Sequence, residues 1–140
     1  MLRRILISIL TVAALGLALP ASAANAQPAG VEGVWRNPKN SVHIKIQPCG
    51  ENLCGYVVWA NDHAKEDARK GGTDNLVGSQ LLRNFAPSRT GVWKGKVFVP
   101  DLNATFSGTA ELLDENTLKA RGCLFAGIGC KSQHWKRIES

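Results

Sequence analysis

The chain has 140 residues, 44% of them hydrophobic and 20% charged, with a formal net charge of +6. That length holds one ordinary domain, and the composition excludes wholesale disorder. There is no sustained heptad and no Gly-X-Y period, which excludes coiled-coil and collagen-like architectures.

The first segment reads as an address. Arg3 and Arg4 precede an apolar run from Ile5 to Leu19, and Pro20 leads into the small-x-small site Ala21-Ser22-Ala23. These are the three parts of a cleavable signal peptide. The run is shorter than the roughly 20 residues needed to span a bilayer. Cleavage is expected after Ala23, or after Ala26 using Ala24-Asn25-Ala26. The leader carries two of the 17 basic residues and none of the 11 acidic ones, so about 117 residues and a charge of +4 remain. The expected product is periplasmic or secreted and is not an integral membrane protein. Residues 24–31 read as a flexible lead-in and residues 32–140 as one domain.

Cys49 and Cys54 flank a tetrapeptide, and Cys123 and Cys130 flank the apolar hexapeptide 124–129. An even cysteine count in an exported chain points to disulfides. Of the three connectivities, the two local pairings are favoured, because each pair flanks a hairpin-like turn. Loop closure over such short spans contributes about 2 kcal/mol each. Zinc clusters use tighter spacing, and neither pair is Cys-x-x-Cys, so metal and redox roles are disfavoured.

The rest of the chain reads as short alternating runs between turn residues. Val42, Ile44 and Ile46 alternate with His43, Lys45 and Gln47, and Pro48-Cys49-Gly50 ends the run. Leu53 to Ala60 is its hairpin partner. Asn61 to Asn75 is densely charged and reads as a solvated loop, with one helical turn over Ala64–Ala68. Leu76 to Phe85 is apolar and stops at Ala86-Pro87-Ser88. Val92 to Val99 places Trp93, Gly95, Val97 and Val99 opposite Lys94 and Lys96. Thr105 to Leu113 turns Phe106, Gly108, Ala110 and Leu112 inward. Thr117 to Cys123 and Ser132 to Ile138 complete the set. With Val34–Arg36 as the first, these are about eight antiparallel strands, which fit an up-and-down barrel or a sandwich. Small inward residues such as Gly95, Gly108, Ala110, Ala120 and Gly122 either leave room inside or admit large neighbours.

Gly33-Val34-Trp35 at the first strand and Arg137 in the last resemble the lipocalin-like barrels of the calycin group. In that group the Trp crosses the closed end and a basic residue of the last strand packs over its indole. A closer resemblance covers nearly the whole chain after the leader. It is carried by Gly33-Val34-Trp35, Ile46-Gln47-Pro48-Cys49-Gly50, Leu53-Cys54-Gly55, Thr105-Phe106-Ser107-Gly108, Leu118-Lys119-Ala120-Arg121-Gly122-Cys123 and Lys131-Ser132-Gln133-His134-Trp135-Lys136-Arg137. These segments resemble the uncharacterised secreted bacterial family known as domain of unknown function 2147. The chain departs from that pattern at His134, where Thr is usual, and in a glycine-poor segment from Pro100 to Ala104. The resemblance implies an exported, all-β, eight-stranded lipocalin-like barrel and no known activity. Gly33, Trp35 and Arg137 take structural roles in it.

No catalytic set is expected. The serines at 41, 79, 88, 107 and 132 sit in no nucleophile elbow. His43 and His134 read as solvent-facing strand residues. His63 and Asp67, four apart, have the spacing of metal ligands, but the segment reads better as a solvated face. No metal and no cofactor are therefore expected, and nucleic acid is not an expected partner. Two readings stay open. The first is a binding protein for a small apolar molecule or lipid, lined by Trp59, Trp93, Phe106 and Leu112, with Phe125 and Ile128 at a mouth. The second is an envelope interaction module that works through its outer surface. It would use the basic residues Lys94, Lys96, Lys131, Lys136 and Arg137 on an anionic envelope surface, or the apolar tip 124–129.

Overall fold

The computed structural model describes residues 30–125 and 127–140. The leader, and most of the lead-in expected from the sequence, lie outside the described residues. No helix among the described residues is long and apolar enough to cross a membrane.

Eight strands form one closed barrel in sequence order. They are β1 (Gly33–Arg36), β2 (Val42–Cys49), β3 (Asn52–Ala60), β4 (Gln80–Arg89), β5 (Val92–Val99), β6 (Ala104–Asp114), β7 (Thr117–Phe125) and β8 (Ile128–Glu139). Every neighbouring pair is antiparallel, and β8 closes on β1 through Trp35↔Arg137 and Arg36↔Lys136. Closure leaves no free sheet edge. Both disulfides are local, Cys49–Cys54 across the β2–β3 hairpin and Cys123–Cys130 across the β7–β8 hairpin.

The inner face holds the core. Trp35, Ile44, Ile46, Val57, Leu82, Phe85, Ala110, Leu118 and Trp135 are buried and cluster together. Period-two alternation sends these residues inward and leaves Lys45, Lys94, Lys96, Thr105 and Ser107 exposed.

Three segments differ from the sequence expectation. The charged stretch after β3 is an α-helix, α1 (Asp62–Lys70), and not a loop with a single turn. Asn61 caps it, its side-chain oxygen accepting from the Ala64 N–H at 2.8 Å. Asp62 in the first turn and Arg69 and Lys70 in the last complement the helix dipole. The charges lie outward while Ala68 is fully buried. Strand β4 starts later than expected and runs through Pro87. The pairing with β5 shifts between Arg83 and Ala86 and again between Pro87 and Arg89, so the proline sits in an irregular stretch that tolerates its missing N–H. The second cysteine loop is ladder: β7 and β8 pair through Cys123↔Cys130 to Phe125↔Ile128.

Candidate functional site

The barrel has two unlike ends. The closed end collects the β2–β3, β4–β5 and β6–β7 turns and both chain ends of the barrel. Trp35 fills its centre with no exposed surface. Its indole N–H donates to the Val31 carbonyl at 2.8 Å, and Val31, assigned to the lead-in from the sequence, is itself buried. The Arg137 guanidinium lies 4.2 Å from the Trp35 ring centre. It donates to three backbone carbonyls, those of Glu115 at 2.6 Å, Gly30 at 2.6 Å and Glu32. Burial pulls the Arg137 pKa down from its ordinary value, yet the group stays charged at any physiological pH. Gly33 has φ +125°, and a Cβ there would collide with the Glu139 carbonyl and the Arg137 guanidinium. The Gly-x-Trp start and the late Arg are thus one contact: only glycine lets β8 lie close enough to cover the indole.

The open end collects the loop 37–41, α1, the 3-10 turn Pro100–Leu102 and the β7–β8 tip. Between them opens a cavity of about 980 Å³. Ile44, Ala110, Leu118 and Trp135 lie at its base and Leu82, Val97 and Phe106 along its walls. That volume is at the upper end of the ~300–1,000 Å³ typical of small-molecule sites.

The glycines explain where the room comes from. At Gly55, Gly95 and Gly108 an added Cβ would run into Leu82, Phe85 and Val97 respectively, so these glycines admit large neighbours. At Gly122 an added Cβ meets nothing within 4 Å. Gly122 pairs with Gly108 on one side and Lys131 on the other, and it lines the cavity. Of the two meanings that small inward residues had in the sequence, crowding holds for Gly95 and Gly108 and open space for Gly122.

The rim carries charge on two sides, with Arg121 and Lys131 on β7 and β8 and a second group on the loops opposite. Lys39, His63, Asp67 and Asp101 line it. His63 Nε2 lies 3.2 Å from Asp67 Oδ2. Burial pushes the Asp101 carboxyl above its ordinary value, the nearby Asp67 carboxylate adds to the shift, and Lys39 opposes it. The Thr73 hydroxyl, which follows α1, donates to the Pro100 carbonyl at 2.9 Å and helps hold the helix against the 3-10 turn. Among the described residues no group of three or more His, Cys, Asp or Glu side chains is placed to hold a metal ion.

Of the six lining residues expected from the sequence, Phe106 lines the cavity. Trp93 and Leu112 pack partly buried against the core but do not line the cavity, since they lie toward the closed-end turns of β4–β5 and β6–β7. Trp59 is on the outside, its ring centre 4.5 Å from that of His43. A bulge causes this: His43 pairs with Trp59 and Ile44 with Val57, so the extra residue Val58 reverses the alternation. Phe125 and Ile128 are 77% and 73% exposed and do not line the cavity. Their neighbours Leu124 and Gly129 line the cavity instead.

The basic residues grouped from the sequence do not form one surface. Lys94 and Lys96 are outside, the latter donating to Ser107 Oγ at 3.0 Å. Lys136 donates to Thr117 Oγ1 at 2.8 Å near the closed end, and Arg137 is committed to Trp35. Lys131 and Gln133 share the inner face of β8 with Trp135 and line the cavity. Counting back by twos from Trp135 identifies both.

The family described as "Uncharacterized protein conserved in bacteria (DUF2147)" matches residues 33–137. No curated protein matches the chain. A solved structure described as "Protein HP1028 from the human pathogen Helicobacter pylori belongs to the lipocalin family" superposes with a TM-score of 0.62 at 13% identity, over 79% of this chain and 84% of that one. At that identity the likeness shows a shared lipocalin-like fold.

Proposed function

This chain belongs to that family of uncharacterised bacterial proteins, and we propose that it is an exported, periplasmic, non-catalytic protein that holds one small apolar or amphipathic molecule inside its barrel. The observation that carries this reading is the cavity of about 980 Å³, walled by aliphatic and aromatic side chains and opening between the loops of one end. An eight-stranded barrel is either filled by its own side chains or holds one small ligand. Gly122, with open space beyond it, supports the second case.

Titration of the leader-free chain with long-chain amphiphiles, followed by intrinsic Trp fluorescence, tests the reading, since Trp135 borders the cavity. Saturable binding of one molecule per chain is the expected result. Gly122→Phe is expected to abolish it while leaving the unfolding midpoint near that of the parent, because the new ring enters empty space. Absence of saturable binding, or full binding by the Gly122→Phe protein, overturns the reading.

A second reading, an envelope interaction module, rests on the tip. Leu124, Phe125 and Ile128 are 57%, 77% and 73% exposed beside the cavity mouth. Such clustered apolar exposure marks contact surfaces. Photo-cross-linking from position 125 in intact cells tests it; a discrete adduct is expected, and its absence counts against this reading.

A further inference from the structure

The inner face of β8 sets polar side chains among the apolar residues of the cavity wall. Its inward residues, in order from the mouth, are Lys131, Gln133 and Trp135, paired with Gly122, Ala120 and Leu118 on β7. All three line the cavity. Each is a hydrogen-bond donor: an ammonium, an amide and an indole N–H. Among the described residues Lys131 has no ion pair, and the buried indole N–H of Trp135 has no hydrogen-bond partner. The two carboxylates that line the cavity, Asp67 and Asp101, belong to α1 and the 3-10 turn, and they sit with His63 and Lys39. Gly122 and Ala120 opposite Lys131 and Gln133 leave the donors uncovered.

From this we infer that the cavity takes an anionic amphiphile, a single apolar chain ending in a carboxylate or phosphate, with the chain against the aliphatic base and the anion at Lys131 and Gln133. The inference rests on the carrier reading above and adds the charge of the head. An ammonium at the mouth of an apolar chamber is within reach of the head of a molecule whose chain lies inside, and a charge-assisted bond to an anionic head adds to the apolar contact. A neutral head leaves that ammonium to water and gains nothing from it.

The test compares three probes of equal chain length on the leader-free protein: a saturated fatty acid, the corresponding fatty alcohol and a lysophosphatidic acid. The acid and the lysophosphatidate are expected to bind about tenfold more tightly than the alcohol, a margin within reach of one charge-assisted bond. The tighter of the two anions identifies the head as carboxylate or phosphate. Lys131→Ala is expected to remove the margin by weakening the two anions about tenfold more than the alcohol, while Lys131→Arg retains most of it. The margin shrinks as salt is added, since Lys131 is exposed at the mouth. Equal binding of acid and alcohol by the parent, or equal weakening of both by Lys131→Ala, overturns this inference and leaves the carrier reading standing. Failure of all three probes to bind sinks both.

Discussion

The closed end and the open end are built from the same kinds of strand, yet they spend their polar groups in opposite ways. At the closed end the donors around the central indole are used: the Trp35 N–H on Val31, the Arg137 guanidinium on three carbonyls and on the ring beneath it. At the open end Lys131 has no ion pair among the described residues, and space lies beyond Gly122. A satisfied end gives stability, and an unsatisfied end gives a place where something else can bind.

That contrast breaks most visibly at Trp35. Trp35→Ala is expected to cost about 3–5 kcal/mol in urea unfolding, the usual range for removing a fully buried large aromatic. A loss below about 1 kcal/mol would mean that the closed end is not the stabilising one. Arg137→Ala comes next, at about 1–3 kcal/mol, because it uncovers the indole and leaves carbonyls without donors. Arg137→Lys is expected to recover only part of this, since one ammonium cannot reach all three carbonyls in the plane of the ring. The smallest effect is at the open rim. Burial makes folded Asp101 hold its proton more tightly than the unfolded chain does. Its contribution is therefore fully present below the ordinary aspartate range and is lost as the pH rises through that range toward the raised folded value. Asp101→Asn is expected to raise the melting temperature slightly at neutral pH and not at pH 3. An equal change at both values would remove the carboxylate from the explanation.

The barrel itself was legible because alternation is written into the strands: Val42, Ile44 and Ile46, or Phe106, Gly108 and Ala110, can face only one way. The closed end was legible too, since Gly33, Trp35 and Arg137 sit where one contact needs them. The cavity lining was less so. A one-residue bulge at Val58 turned Trp59 outward, and no local pattern marks a bulge before the partner strand is known. At the tip, size and apolarity single out Phe125 and Ile128, but parity along β7 decides, and Leu124 and not Phe125 has the inward parity. The helix α1 was hidden by its charge, although Asn61 before a run with Ala64 and Ala68 four apart was a usable start signal.

One consequence of the closed end concerns time. Arg137 holds the carbonyls of Glu32 and Gly30, residues 105 and 107 positions earlier in the chain. A nascent chain cannot form these contacts until Arg137 has been made, and joining such distant points is slow compared with forming a hairpin. Hairpins such as β2–β3 and β6–β7 are available early, while the ring stays open at the β1–β8 seam. Loss of the last dozen residues would therefore leave seven strands with two unpaired edges and an uncovered Trp35. The barrel stays open until its eighth strand arrives.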